Sequence, residues 1–376
     1  MKLLYDFRAY QEFYPRGVSR YVYELFVEVI KRNEDINGIL ITAGKIMPEF
    51  PEQIKNKVTF YQVTDFEKDN SILFDFFVNG STTWLGLKEY NSIDVLYPES
   101  VLRCCRKKVC LLYDFVPLLY SNYLPTKKDQ INYFLQCEAI KYMDHIFTIS
   151  NYVSSSGARY LHRTIRDFTC LYGGADSAKF YTENSEKEYN GSMRSNNLVN
   201  VSGVCVRKNF DGVTKAFCNA YLSRKIPQNS KLIIICSTLP FFVETIKNIT
   251  ENMGLKYGVH VVTTGFISDK EMVNLIANAK CSIYPSYYEG LGLPILESYT
   301  AGTPCIASNV SSMKELVLEK ASFNPFDVND MTQKIIESYN NEQLCIDSLN
   351  YGRRLIKKIN WCQSAEIMIN KLKELL

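Results

Sequence analysis

Tyr284-Pro-Ser-Tyr-Tyr-Glu-Gly-Leu-Gly-Leu-Pro-Ile-Leu-Glu-Ser-Tyr-Thr-Ala-Gly-Thr-Pro304 places two carboxylates, Glu289 and Glu297, on either side of a glycine-rich turn that opens a helix. Pro294 suits the first helical position, where its missing N–H costs nothing, and Gly290 and Gly292, alternating with Leu291 and Leu293, let backbone amides approach a ligand. Helix starts of this kind attract oxygen-rich or anionic ligands. Glu297 is expected in the first helical turn and Glu289 on the loop before it, so two acceptor-only groups face one polyhydroxylated molecule from two sides. Sugar hydroxyls are the natural partner. The bland reading is a capped surface helix with one solvated acid.

A chain of 376 residues exceeds one ordinary core, and two domains are expected. A hydrophobic share of 46%, a charged share of 22% and a net charge of +3 fit a globular protein and argue against nucleic acid as a partner. The 12 cysteines contain no C-x-x-C pair and there are only three histidines, which points away from a zinc site or a disulfide framework and toward a reducing cytoplasm. Residues 1–8 lack the apolar stretch of a signal peptide, and no run approaches the ~18 apolar residues of a membrane span. The chain is expected to be soluble or peripherally attached. Among its 26 tyrosines, the cluster Tyr113, Phe115, Tyr120, Tyr123 reads either as a sugar-stacking or lipid-touching surface or as core packing.

Short β-branched and aromatic runs alternate with segments of helical period, the pattern of doubly wound parallel β-α-β layers. Strands are expected near 2–6, 37–42, 57–62, 108–113 and 145–149, with helices near 18–32, 127–143 and 151–162. The polar stretch 183–198 reads as a linker. Beyond it come strand 198–202, helix 209–222, strand 231–236, helix 240–252, strand 259–263, helix 269–278 and strand 281–285, a Rossmann-like series. Residues 361–376 form a final amphipathic helix. Within 201–212, Val-Ser-Gly-Val-Cys-Val-Arg-Lys-Asn-Phe-Asp-Gly, a strand end leads into a helix and sets Gly203, Arg207 and Lys208 beside the crevice, where two cations can neutralise a diphosphate. A solvated basic turn is the plain alternative.

The string P-S-x-x-E-G-x-G-L-P-x-L-E, with its Glu-x7-Glu spacing, resembles the signature of the retaining glycosyltransferases of family 4, the group 1 glycosyltransferases. The resemblance implies a GT-B fold of two Rossmann-like α/β domains facing a central cleft. It implies an acceptor-binding domain over 1–190, a nucleotide-sugar donor domain over 191–360, and a helix 361–376 returning to the first domain, opened by the W-x-x-x-A match Trp361 to Ala365. On this resemblance Glu289 and the amides of Gly290, Leu291, Gly292 and Leu293 hold the donor sugar, and Glu297 holds the ribose. Residues 201–212 resemble the G-x-x-x-x-R-K-N phosphate loop, one residue shorter between glycine and lysine. Tyr14-Pro-Arg-Gly-Val-Ser-Arg-Tyr21 resembles the G-G-x-x-R-Y loop, matching at Gly17 and Arg20 with one glycine of the usual pair. Val109 to Pro117 resembles the H-D-x-x-P element, with Tyr113 in place of histidine and Asp114 retained as a candidate for orienting the acceptor or the loop, a turn aspartate being the plain alternative. Phe147 to Tyr152 and Tyr172 to Asp176 resemble structural elements of the family, and Gly265 with Phe266 matches a loop near the nucleotide base.

The expected activity is therefore retaining, metal-independent transfer of a hexosyl unit, with mannose or rhamnose as first guess, from a nucleotide-sugar to a glycan acceptor in bacterial O-antigen or capsule synthesis. No cofactor is implied beyond the nucleotide-sugar co-substrate. No carboxylate in these motifs is clearly placed as a nucleophile, and the resemblance instead suggests front-face attack, with the departing phosphate oxygen assisting deprotonation of the acceptor. No D-x-D triad lies in a suitable loop, and Asp327-Val-Asn-Asp330 reads as a helix cap. Arg103, Arg106, Lys107 and Lys108 form a basic patch that could rest on anionic lipid at the inner membrane surface near a lipid-linked acceptor; a solvated strand entrance is the alternative. Two rivals remain: a catalytically silent sugar-nucleotide-binding partner subunit, and a GT-B epimerase or phosphorylase.

Overall fold

The computed structural model describes residues 1–14, 17–69, 71–82, 93–237 and 239–376. The chain divides into two units, Met1–Gly173 with Ile359–Leu376, and Gly174–Lys358.

The first unit holds seven strands: β1 (Leu3–Asp6), β2 (Asn37–Leu40), β3 (Val58–Tyr61), β4 (Phe74–Asn79), β5 (Cys105–Leu112), β6 (His145–Thr148) and β7 (Phe168–Cys170). They form one sheet in the order β3-β2-β1-β4-β5-β6-β7, each pairing parallel. A parallel sheet covered on both faces needs strands that are apolar throughout, and β1 and β6 are buried at every position. Helix Gly17–Arg32 buries Tyr21, Val22, Leu25, Phe26, Val29 and Ile30, a stripe of helical period, and the Phe26 ring lies 4.4 Å from that of Tyr5 on β1. Strands β4 and β7 were not anticipated. A six-residue run such as Phe-Asp-Phe-Phe-Val-Asn is too short for its periodicity to separate strand from helix, and β7 has only three residues.

The second unit has β8 (Asn197–Val201), β9 (Lys231–Ile235), β10 (Val261–Thr263), β11 (Cys281–Tyr284), β12 (Cys305–Ser308) and β13 (Ser322–Phe323), all parallel, in the order β10-β9-β8-β11-β12-β13. That is the doubly wound order, and its direction of progression reverses between β8 and β11, where Leu198 pairs with Cys281. Ligands of open α/β sheets bind outside the carboxyl ends of the strands at such a reversal. Beneath it, Val199, Ile233, Ile235, Ile276, Ala279 and Ala301 pack as one core.

The expected division near residue 190 shifts to Gly173, and the linker expected over 183–198 belongs to the second unit. Its polar side chains are engaged with backbone: Asn184 Nδ2 donates to Ala277 O at 3.0 Å, Ser185 Oγ to Thr300 O at 2.6 Å, and Arg194 Nη2 to Gly302 O at 2.8 Å. The segment also runs into β8, which begins at Asn197. Helix Trp361–Leu375 packs within the first unit against helix Gly17–Arg32. The Trp361 ring meets Tyr21 edge-on at 4.9 Å, and Ser364 Oγ donates to Leu171 O at 2.6 Å.

Candidate functional site

The loops leaving β8 and β11 converge at the reversal of the second sheet. From β8 the chain passes Ser202 and Gly203 into a short turn, Val206–Lys208, and ends in Asn209, held left-handed at φ 54°, ψ 41°. Asparagine tolerates this conformation better than most residues. It caps helix Phe210–Leu222 by accepting from Gly212 N at 3.2 Å, while its Nδ2 donates to Pro285 O at 3.1 Å and to Pro325 O at 3.0 Å. One buried amide thus fastens the loops after β8, β11 and β13 together.

That fastening sets Arg207 and Lys208 against Glu289. Lys208 Nζ lies 2.6 Å from Glu289 Oε1, and Arg207 Nη1 lies 2.7 Å from Oε2. Lys208 also donates to the Tyr284 hydroxyl at 2.7 Å, with its ammonium 5.0 Å from the ring centroid, and Arg207 Nη1 donates to Tyr288 O at 3.0 Å. The carboxylate is only 6% exposed. Burial alone would raise its pKa, but the two cations overcome that and hold it at about 2. The same attraction raises Arg207 above its ordinary value against the cost of its own burial, and burial beside this carboxylate pushes the Tyr284 hydroxyl well up. Arg207 Nε is buried with no hydrogen-bond partner.

Serines after β12 support the glutamate loop. Glu289 N donates to Ser311 Oγ at 3.0 Å, and Ser312 Oγ donates to Glu289 O at 2.9 Å and Leu291 O at 2.8 Å. Gly292 stands at φ 112°, where a side chain would be strained, and opens helix Leu293–Thr300. The helix begins at Leu293, one residue ahead of Pro294, so Glu297 falls in its second turn instead of the first and is 4% exposed. Gly290 and Leu291 lie in the same loop. Gly265, at φ 72°, and Phe266, 96% exposed, follow β10, two strands over from β8.

The remaining sequence-predicted residues belong to the first unit. Gly17 opens the second helix after β1, Arg20 lies in its first turn, and Pro15 and Arg16 of that motif lie outside the described residues. Tyr113 and Asp114 follow β5. The Tyr113 hydroxyl donates to Gly80 O at 2.8 Å and its ring meets Tyr21 edge-on at 5.4 Å, so it braces the loop after β4 against the helix that carries Arg20. Asp114 Oδ1 accepts from Val116 N at 2.9 Å, shaping its own turn. In the basic patch, Arg103 pairs with Glu99, and Arg106 lies 3.6 Å from Asp75. Phe115 is buried core. His145 is buried on β6 with Nε2 2.8 Å from Thr169 Oγ1, and burial lowers its pKa to about 4. Among the described residues, no three His, Cys, Asp or Glu side chains gather as a metal site would.

Sequence reading missed Tyr284, Asn209 as the fastener of three loops, and the Ser311-Ser312 pair. Asn209 had a signal, since asparagine directly before a helix suggests a cap. The serines had none, because their partners lie more than twenty residues away.

Comparison with known proteins bears on both units. Residues 183–355 match the family model described as Glycosyl transferases group 1. The serotype-specific mannosyltransferase WbdA of Escherichia coli is 24% identical over 278 residues, which is 72% of this chain and 34% of that protein. The chain therefore spans about a third of the length of the first curated relatives it matches. The O-antigen chain mannosyltransferase B of E. coli is 33% identical over 110 residues, 29% of each chain. Among solved structures, Anabaena Alr3699/HepE in complex with UDP and glucose superposes with a TM-score of 0.72 at 14% identity over 100% of both chains. Sucrose-phosphate synthase from Thermosynechococcus elongatus superposes with a TM-score of 0.74 at 14% identity. Two parallel-sheet α/β domains of this kind make the GT-B fold.

Proposed function

We propose, from the premise that residues 183–355 form a group 1 glycosyltransferase domain, that this protein transfers a hexosyl unit from a nucleoside-diphosphate sugar to a glycan acceptor, with retention, as a member of glycosyltransferase family 4. The observation that carries the reading is the Arg207, Lys208 and Glu289 cluster at the reversal point of the second sheet. A diphosphate brings two or more negative charges, and the cluster offers two cations against one carboxylate. Glu289, held near 2, is ionised at neutral pH and too weak a base for proton transfer, which favours a role in binding sugar hydroxyls and positioning the cations. Glu297 is assigned the ribose.

In the proposed step the bond between the anomeric carbon and the phosphate oxygen breaks as the acceptor hydroxyl adds from the same face, and that phosphate oxygen takes the acceptor proton. Arg207 and Lys208 stabilise the charge growing on the leaving diphosphate. The residues assigned to this step supply charge and position, so no metal is assigned to it. Mannose is the first choice of sugar, because the relatives named above are mannosyltransferases, with rhamnose second. A polysaccharide acceptor such as an O-antigen is assigned on the same ground, with action at the cytoplasmic face of the inner membrane. Among the described residues no helix is long and apolar enough to cross a membrane. Two of the four patch cations already face acids, so binding to anionic vesicles is the measurement that decides peripheral attachment.

Calorimetric titration of UDP, GDP, dTDP, ADP and CDP without added metal tests the assignment. Binding of one nucleotide that is lost in Glu297→Ala supports it and names the donor class. Failure of all five overturns it, binding of a nucleotide without sugar transfer from the corresponding sugar-nucleotide favours the silent subunit, and release of sugar phosphate on addition of inorganic phosphate would identify a phosphorylase.

A further inference from the structure

Tyr287 and Phe326 lie in loops from two different strands, yet their rings stack at 5.0 Å between centroids and 20° between planes. Phe326 is 70% exposed. A phenylalanine with one face on a tyrosine and the rest in water gives up apolar burial that a turn preceding a helix cap does not require. The pair is also held still. Tyr287 N donates to Arg207 O at 2.8 Å, and Pro325 O accepts from Asn209 Nδ2, so both ring-bearing loops are pinned to the cation turn. On the other side Phe326 N donates to Asn324 Oδ1 at 3.1 Å, and Asn324 N to Asp330 Oδ2 at 2.7 Å. Tyr287 stands two residues before Glu289, in the same loop.

We infer that the Tyr287–Phe326 pair is a stacking platform for a sugar ring of the glycan acceptor. The inference rests on the transferase reading above and deepens it. A pyranose presents a face of C–H groups that sheds water against an aromatic ring while its hydroxyls stay solvated at the rim, and a half-exposed, preorganised stack suits that ligand. A nucleobase is the competing occupant. The platform lies on the β11–β13 side of the reversal, whereas Gly265 and Phe266, matched to the base loop, lie on the β10 side, so the cluster separates them along the sheet.

The test uses the full chain and α-linked mannotetraose as probe. Saturation-transfer NMR should show ring-proton contacts from the tetrasaccharide that Phe326→Ala abolishes and Phe326→Tyr retains. In transfer assays Phe326→Ala should raise the acceptor KM about tenfold, the scale of losing one aromatic contact, while the nucleotide Kd measured by calorimetry stays at the wild-type value. A wild-type enzyme that transfers sugar with an acceptor KM indifferent to Phe326→Ala overturns the platform but leaves the transferase reading standing. A fall in nucleotide affinity in Phe326→Ala also overturns it, and gives the ring to the base. Wild-type protein that binds neither nucleotide nor tetrasaccharide overturns both.

Discussion

Lys208 and Glu289 meet at 2.6 Å around a carboxylate that is almost wholly buried. With Arg207 on the other oxygen, the cluster keeps one positive charge in excess, and its geometry is set before any ligand arrives. A buried pair of this kind gives modest net stability when intact and costs roughly 3–5 kcal/mol when one partner is removed, because the remaining charge is left without compensation. Glu289→Ala therefore tests folding as much as chemistry, and the near-isosteric Glu289→Gln is the better probe.

The first prediction concerns acid. Glu289 is held at about 2 in the folded chain against an ordinary 4.5. Its contribution to stability is whole above pH 4.5 and is lost as pH falls through 2. Urea midpoints measured between pH 6 and pH 2.5 should decline more steeply for the wild type than for Glu289→Gln. Parallel declines would show that the pair does not govern the acid limb.

Nucleotide affinity should depend on Lys208 through charge. Lys208→Ala is expected to weaken binding of the preferred nucleoside diphosphate about 10- to 100-fold, the range of a charge-assisted hydrogen bond, and to reduce the loss of affinity on raising salt. Calorimetry at two salt concentrations checks both effects. Unchanged affinity would place the diphosphate elsewhere.

Asn209 performs two separable tasks. Asn209→Asp keeps the acceptor for Gly212 N but cannot donate to Pro285 O and Pro325 O, whereas Asn209→Ala loses the cap as well and strains the left-handed backbone. We expect Asn209→Ala to cost about 2–4 kcal/mol, summing a lost cap and two orphaned carbonyls, and Asn209→Asp to cost at least as much, because it turns a buried carboxylate toward those two carbonyl oxygens. Chemical denaturation orders the three, and equal stability of aspartate and asparagine would remove the fastening role.

Gly352 sits in helix Glu342–Lys358, where alanine would ordinarily be the better residue by about 1 kcal/mol. A Cβ there would stand 2.1 Å from the buried Tyr299 ring. Overpacking costs about 1–3 kcal/mol and outweighs the propensity gain, so Gly352→Ala should lower the thermal midpoint. A rise would mean that helix Leu293–Thr300 yields easily.

Much of this molecule is legible in its sequence, and the exceptions share a cause. Parallel strands such as Leu3–Asp6 and Lys231–Ile235 announce themselves as short apolar runs between turn residues, and Arg207, Lys208 and Glu289 stand in strings whose chemistry reads locally. What escaped depends on partners distant in the chain. Residues 183–198 look like a linker by polarity, yet Asn184, Ser185 and Arg194 spend that polarity on carbonyls 93–115 residues away. Ser312 holds Glu289 and Leu291 by contacts that no local pattern encodes, and Glu297 moved one position along the helix because Gly292, free to adopt φ 112°, sets the helix start at Leu293.

The first unit is completed by residues 359–376, which lie beyond the whole of the second unit in the chain. During synthesis the ribosome delivers the seven strands of the first sheet early, yet Tyr21 and Leu171 wait for Trp361 and Ser364 until residues 174–358 have emerged. The second unit, contiguous in sequence, can close its core before the first has its full complement. Of these two units, the one that leaves the ribosome first is finished last, with the face of helix Gly17–Arg32 that receives helix Trp361–Leu375 left open in the interval.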